Sequence, residues 1–327
     1  MRYPFVSIII PVRNVGKIIG QCLEGLNNLN YPKDKYEIII SDSESTDDTR
    51  AIVKKYGAIF VSTPKRSVCA GRNEGFRAAK GEIIAFSDAD CVMDKNWIVN
   101  CLKYFENHAV GAVGGPNITP ADDTAFAKAV GFVFDQAIFS AGSIHGRILN
   151  KIKEVKSIPG CNVIYRREAL DKVMPMDESL LEAEDYVTNQ KIRGLGYKLL
   201  YTPDTIVWHY RRPNPKRFFK QIYRYAIGRL LIGKKDIKMI NLTHILVGLG
   251  LPALAGGSIF LSITDYRLLV YSFLSAELFL LVYSFLAWSK TKSLKVALWV
   301  PPTIIILFSA WSLGFLRELL FPIKERK

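Results

Sequence analysis

The chain has 327 residues, 49% of them apolar and 23% charged, with a formal net charge of +14. That length allows two domains of ordinary size. The apolar residues are so unevenly placed that a wholly soluble protein is excluded. To about residue 210 short apolar runs alternate with polar segments, whereas after Lys238 three long runs follow almost without charge.

In chain order, "VSIIIPV" (6–12) reads as a strand stopped by proline, "VGKIIGQCLEGLNN" as a helix and "YEIIISD" (36–42) as a second strand. "TDDTRAIVKKYG" reads as a helix opened by Thr46, with Asp47 and Asp48 in its first turn and Gly57 at its end. "AIFVST" is a third strand, "CAGRNEGFRAAKG" a short helix and "EIIAFSD" a fourth strand. This alternation predicts an α/β fold of right-handed βαβ units with a mostly parallel sheet. Such sheets bind ligands beyond the carboxyl ends of their strands, where Pro11–Asn14, Ser41–Ser45 and Ser87–Asp90 all fall.

Asp88 and Asp90 follow the fourth strand with one small residue between them. The bland reading is a solvated acidic turn. The chemical reading is a cation site, because acids on a ligand-binding rim repel an anion unless they hold a cation that holds it. No GxxxxGK[ST] or GxGxxG turn follows the first strand, so backbone amides are not the phosphate cradle. Hard oxygen ligands suit Mg²⁺ or Mn²⁺. The five cysteines, Cys22, Cys69, Cys91, Cys101 and Cys161, lack metal-ligand spacing. They suit a reducing cytosol and read as small buried hydrophobes. The strand-like start leaves no charged leader or cleavage site, so the N-terminal domain is expected to remain unexported.

Between Arg211 and Lys238 ten Lys and Arg face the single acid Asp236, interleaved with Phe218, Ile222, Ile227 and Leu230 at helical spacing. Beside a membrane segment this is expected to be a basic amphipathic helix on an anionic leaflet and not a nucleic-acid surface. The runs "INLTHILVGLGLPALAGGSIFLSI", "LLVYSFLSAELFLLVYSFLAW" and "VALWVPPTIIILFSAWSLGFL" are each about 20 residues or longer, enough to cross a hydrocarbon core of roughly 30 Å. The expected organisation is a soluble domain over 1–210, an interfacial segment over 211–238 and an anchor of about three transmembrane helices over 239–327. A cytoplasmic soluble domain puts "SKTKSLK" inside, as its lysines require. Three full spans would leave "KERK" outside, against the same rule, unless Pro301 and Pro302 make the third segment re-entrant.

Several ordered blocks, "VSIIIPVRN" with "SDSESTDDT", "GRNEGFRAAKGEIIAFSDAD", "PGCNVIYRREAL" and "EAEDYVTNQKIRGLGYKLLYTPDTIVWHY", resemble those of family 2 inverting glycosyltransferases, which have the GT-A fold. The resemblance spans roughly residues 5 to 225. It implies that Pro11 and Asn14 line a nucleoside pocket, that Asp42 contacts base or ribose, that Arg72 contacts base or diphosphate, and that Asn73 shapes the same wall. Asp88 would face the ribose, and Asp90, with His209, the metal bridging a diphosphate. Gly160, Asn162 and Glu184 would face donor sugar and acceptor, and Asp185 would be the catalytic base. "QIYRY" (221–225) resembles a worn QxxRW motif. Ser41, Arg13 and Tyr225 depart from the usual pattern, which leaves the nucleotide base and processive synthesis open.

The implied function is a membrane-bound, metal-dependent inverting transferase. Its donor would be a UDP- or GDP-sugar and its acceptor a lipid-linked glycan hydroxyl, with a polyprenyl or dolichyl phosphate as the alternative. Its expected location is the cell membrane, multi-pass, with the catalytic domain on the cytoplasmic face. From the residues alone Asp185 could equally be a solvated helical acid, and His209 a structural histidine beside Trp208. A sugar nucleotidyltransferase would open with a Gly-rich basic loop that "PVRNVGK" lacks. An inactive membrane scaffold would have no use for Asp90, Asp185 and His209 together.

Overall fold

The computed structural model describes residues 3–140 and 143–323. The chain divides into two compact units, Met1–Ile118 with Gly142–Tyr210, and Thr119–Ala141 with Arg211–Lys327. The sequence suggests a break near residue 210. The structure adds an excursion between residues 118 and 142, whose apolar helix finds its partners among the C-terminal helices.

The first unit contains β1 (Val6–Val12), α1 (Ile19–Asn27), β2 (Tyr36–Asp42), α2 (Thr49–Lys55), β3 (Ile59–Ser62), α3 (Val68–Ala78), β4 (Ile83–Ser87), β5 (Cys91–Met93), α4 (Val99–Leu102), β6 (Val110–Gly114) and β7 (Asn117–Ile118). After the excursion, which carries α5 (Ala125–Asp135), come β8 (Lys153–Glu154), β9 (Asn162–Arg166), α6 (Arg167–Asp171), α7 (Glu184–Gly194), β10 (Lys198–Tyr201) and β11 (Val207–His209). The strands β1 and β4 are buried almost throughout, as expected of continuous apolar runs covered on both faces.

Among the described residues the main sheet runs β3-β2-β1-β4-β9-β6-β10-β8. The pairs β1–β2, β2–β3, β1–β4 and β6–β10 are parallel, while β9 lies antiparallel between β4 and β6. From β1 the chain winds outward to β2 and β3, then returns to place β4 on the other side of β1. That reversal is a topological switch point, where an α/β sheet opens a crevice at its carboxyl edge. A small second sheet, β5-β11-β7, carries Cys91 and His209 at its edge of this crevice.

Two local details differ from the sequence expectation. Thr46 does not open the second helix, because Asp47 accepts from Thr49 N–H (3.1 Å) and Oγ1 (2.5 Å) and from Gly16 N–H (2.9 Å), delaying α2 to Thr49. Similarly α7 begins only at Glu184, after Ala183 with φ of 67°.

The second unit holds α5, α8 (Pro215–Lys235), α9 (Leu242–Gly248), α10 (Gly250–Thr264), α11 (Tyr266–Thr291) and α12 (Leu294–Leu320). Asn214 caps α8 by accepting from Arg217 N–H, with Pro215 at the first helical position, where a missing N–H costs nothing. The apolar stripe of α8 is not open to lipid as expected. Phe218 and Ile222 pack with Phe126, Val130 and Ala310, and Ala226 and Leu230 pack with Phe315. Its exposed residues are Lys216, Arg217, Lys220, Arg224, Lys234 and Lys235.

Among the described residues two helices, α11 and α12, are long and apolar enough to cross a membrane. The first apolar run forms α9 and α10, bent by 55° at their junction, which counts as a third span only if the pair is one broken span. The break thus falls in the first segment and not the third, since α12 continues through Pro301 and Pro302. The segment "KERK" lies outside the described residues. Burial separates the two long helices: α11 buries only Ala287, whereas α12 buries ten residues.

One glycine governs the spacing beneath the crevice. A Cβ on Gly75 of α3 would sit 2.3 Å from Ile9 Cγ2 and 2.7 Å from Ser41 Oγ, and Ile9 is fully buried. Overpacking of this kind costs about 1–3 kcal/mol, which outweighs the gain of roughly 1 kcal/mol from Ala over Gly in a helix. Gly75→Ala is expected to lower the thermal midpoint of the detergent-solubilised chain. An unchanged midpoint would show that α3 can lift off β1 freely.

Candidate active site

The crevice is lined by the carboxyl ends of β1, β2 and β4. Asn14 takes φ of 52° just beyond β1, a conformation that asparagine tolerates better than most residues. It spans two loops: its N–H donates to Ser45 Oγ at 2.7 Å, and its Oδ1 accepts from Thr46 N–H at 2.8 Å. Pro11 lies opposite Ser41 and Val12 opposite Asp42 in the β1–β2 register, so Asp42 sits beside the same rim. One Asp42 oxygen accepts from Ser45 N–H at 2.9 Å. The other is buried with no partner among the described residues. An orphaned carboxylate oxygen there fits a ligand hydroxyl, since burying it unpaired costs about 1–3 kcal/mol.

Arg72 is only 2% exposed. Its guanidinium reaches Glu184 Oε1 at 2.8 Å and Asp88 Oδ1 at 3.4 Å and lies over the Phe86 ring. Burial favours losing the charge, but Glu184, Asp88 and Asp185 outweigh it and hold the group protonated. Gly160 covers this cation so closely that a Cβ would fall 2.6 Å from Arg72 Nη2. Arg72 therefore forms the floor beneath the proposed ligand wall.

Glu184 is engaged by Arg72 and does not project into the crevice as the resemblance implies. Burial raises its proton affinity, opposed by Arg72. Asp185 turns the other way: Oδ2 accepts from Gly160 N–H at 2.9 Å and Oδ1 from Tyr186 N–H at 2.6 Å. Two backbone donors thus fix its carboxylate against the "PGCN" turn.

Asp88 and Asp90 leave β4 in different directions. Burial pushes the Asp88 carboxyl up to about 7 against the pull of Arg72, although 37% of the side chain remains exposed and water moderates that push. Asp90 turns to the second sheet, its Oδ1 3.4 Å from His209 Nε2. Tyr210 N–H also donates to the Asp90 carbonyl at 3.0 Å. Cys91, paired with His209 across β5 and β11, is pushed up by burial.

Two expected pocket residues have structural positions. Asn162 is fully buried, accepting from Trp97 Nε1 at 2.8 Å and donating to the carbonyls of Pro116 (3.0 Å) and Thr205 (2.8 Å). Its amide is engaged within the protein, so it supports the crevice from below. Asn73 likewise clasps Met176, donating to its carbonyl at 3.0 Å and accepting from its N–H at 2.7 Å, and it donates to Glu178. Both positions follow from burial, which a motif does not reveal.

The model of Glycosyl transferase family 2 matches residues 7–174, slightly more than half of the chain. The chain belongs to glycosyl transferase family 2. Among its relatives, glycosyltransferase AglE of Haloferax volcanii is 28% identical over 242 residues, 71% of this chain and 75% of that protein. A Methanococcus voltae enzyme, named as a dolichyl N-acetyl-α-D-glucosaminyl phosphate 3-β-D-2,3-diacetamido-2,3-dideoxy-β-D-glucuronosyltransferase, is 26% identical over 248 residues. That match covers 71% of this chain and 74% of the enzyme. The solved mannosyltransferase PcManGT of Pyrobaculum calidifontis, in complex with GDP-Man and Mn²⁺, superposes with a TM-score of 0.66 at 18% identity, covering 94% of this chain and 88% of that one. This last likeness shows the fold, a GT-A domain with apolar helices after it.

Within this family frame the sequence motifs locate most of the rim. The signal they leave out is Cys161, which immediately follows Gly160 and reaches Cys91 and His209 from the other side of the crevice.

Proposed function

We propose that this family 2 glycosyltransferase moves a sugar, with inversion, from a nucleotide-sugar donor to the hydroxyl of a lipid-linked glycan. The observation that carries this reading is the arrangement of Asp185 on the Gly160 turn, apart from the Asp90–His209 pair at the end of β4. Inverting displacement needs a base for the nucleophile and, separately, a place where leaving-group charge is stabilised.

Asp90 and His209 fit a divalent ion: one carboxylate oxygen and one imidazole nitrogen lie 3.4 Å apart, with Asp88 beside them. An imidazole ligand suits Mn²⁺ better than Mg²⁺, which prefers oxygen. When bound, that ion supplies positive charge to the departing diphosphate. Asp42 offers its unpartnered oxygen to the nucleoside. Arg72, held under Gly160 by Glu184 and Asp88, keeps the turn and both acids in register. Asp185 takes the proton from the acceptor hydroxyl as the new sugar–oxygen bond forms and the nucleoside diphosphate leaves. The name of the Methanococcus voltae relative, a transferase to the 3-position of a dolichyl-linked sugar, supports a hydroxyl over a lipid phosphate.

We also propose that the C-terminal unit seats α12 along the cytoplasmic interface, with the preceding apolar helices in the bilayer. Lys290, just before α12, pairs with Asp135 of α5 at 2.6 Å, and Glu318 near its end pairs with Lys234 of α8 at 2.7 Å. The helix α5 is entered and left from the soluble unit, and α8 follows it directly in the chain. The end of α11 and the last turns of α12 are thus tied to segments that join the first unit in the chain, which favours this arrangement over the three full spans expected from hydropathy.

Three tests follow from these readings. Asp90→Ala is expected to abolish metal-dependent transfer from a labelled nucleotide-sugar panel while the protein stays folded. Full activity of Asp90→Ala in saturating chelator would remove the metal from the mechanism. A positioned base contributes about 10²–10⁴-fold. Asp185→Asn, which keeps size and removes basicity, should therefore cut turnover about a hundredfold or more with donor binding kept. A lipid phosphate needs no proton removed, so near wild-type turnover would identify the acceptor as a phosphate. For topology, the five native cysteines are buried, so an impermeant maleimide reads engineered sites alone. Asp265→Cys should label from outside, and Phe321→Cys only after permeabilisation. External labelling of Phe321→Cys would make α12 a full span.

A further inference from the structure

Behind Asp90 the crevice is walled by sulfur. The antiparallel β5–β11 pairing sets Cys91 opposite His209, and Cys161 arrives in the turn that precedes β9. Cys91 Sγ, Cys161 Sγ and a ring nitrogen of His209 all lie within 4.8 Å of one another, and all three residues are buried. Asp90 Oδ1 stands 3.4 Å from His209 Nε2 and 3.9 Å from Cys91 Sγ. Around a tetrahedral zinc ion, with metal–sulfur bonds of about 2.3 Å and metal–nitrogen or –oxygen bonds of about 2.0–2.1 Å, neighbouring ligand atoms are about 3.3–3.8 Å apart. The Asp90–His209 separation already matches that spacing and the Asp90–Cys91 separation lies just beyond it, so small side-chain rotations would bring the sulfurs to it. Both cysteines are free thiols, and Asn117 donates from its amide to Cys161 Sγ at 3.3 Å, a contact of the kind that orients metal ligands.

We propose that Cys91, Cys161, His209 and Asp90 form a site for a thiophilic tetrahedral ion of the Zn²⁺ and Cd²⁺ class, one that shares His209 and Asp90 with the proposed donor-metal site and adds two sulfurs. Thiolates select soft or borderline ions and leave Mg²⁺ and Mn²⁺ to oxygen ligands. On binding, two thiol protons pass to solvent and two metal–sulfur bonds form. Such an ion draws His209 and Asp90 toward the sulfurs, so it competes with the ion that serves the diphosphate. The site itself stands on its own geometry. Only this consequence, inhibition, rests on the proposed roles of Asp90 and His209.

The probe is Co²⁺ added to the full detergent-solubilised chain without nucleotide sugar. The expected result is one Co²⁺ per chain, with the intense visible bands of tetrahedral coordination and a thiolate-to-metal charge-transfer band, both removed by Zn²⁺. The Cys91→Ala/Cys161→Ala double variant should lose both signals at the same free Co²⁺. An octahedral spectrum without charge transfer, or a band that persists in the double variant, overturns the site. A second measurement uses the wild-type chain alone, which covers the case of a variant that misfolds. Zn²⁺ should slow alkylation of Cys91 and Cys161 in mild denaturant at least tenfold relative to Cys22, Cys69 and Cys101. Equal rates at all five cysteines also overturn it. Zn²⁺ should further lower Mn²⁺-supported transfer at least tenfold. A spectroscopically confirmed site without inhibition would overturn the competition and the roles given to Asp90 and His209 in transfer, while the site would stand.

Discussion

The crevice depends on one buried cation. Arg72 sits at 2% exposure, where an unpaired charge could not persist, so the chain has to deliver acids to it. Glu184 comes from the start of α7 and Asp88 from the end of β4, segments separated by 112 and 16 residues from Arg72. Removing one partner of such a pair leaves an uncompensated buried charge and costs about 3–5 kcal/mol. The same guanidinium sets the approach of the "PGCN" turn, because only a residue without a Cβ fits above Nη2. Three segments of the rim are therefore positioned by one buried guanidinium.

This arrangement explains why two adjacent acids serve different ends. Glu184 and Asp185 open one helix, where the macrodipole favours negative charge, and their side chains diverge. Glu184 turns down to Arg72 and neutralises it. Asp185 is thereby left to accept from the Gly160 N–H, its carboxylate held by backbone and not by a competing cation. Asp88 and Asp90 divide in the same way, one toward Arg72 and the other toward His209. In each pair one acid meets the buried cation and its neighbour turns to another segment, Asp185 to the Gly160 turn and Asp90 to His209.

The first four strands and the polar rim at their carboxyl ends were legible in the sequence because they rest on local signals. Apolar runs such as "VSIIIPV" and "EIIAFS" announce buried strands, and polar residues at their carboxyl ends announce the ligand edge. What the sequence did not disclose depends on contacts distant along the chain. Asn162 and Asn73 look like pocket residues in their motifs, but Trp97 and Met176, from other segments, engage their amides. Cys91 and Cys161 are 70 residues apart and read as small hydrophobes, until β5, β9 and β11 bring them beside His209. The excursion at 119–141 was equally hidden, since its apolar helix looks like core until its partners are known.

The C-terminal unit shows the same limit from the side of hydropathy. Hydropathy counts α11 and α12 alike, yet burial separates them. A helix meant only for lipid has no reason to bury ten residues against neighbours that carry charge. Glu318 is fully buried in α12 between Lys234 and Arg317, and α8 supplies that lysine from a helix whose exposed side is basic. A buried acid is expensive unless paired, so Glu318 ties the last turns of α12 to α8 by charge, a contact that apolar length does not reveal.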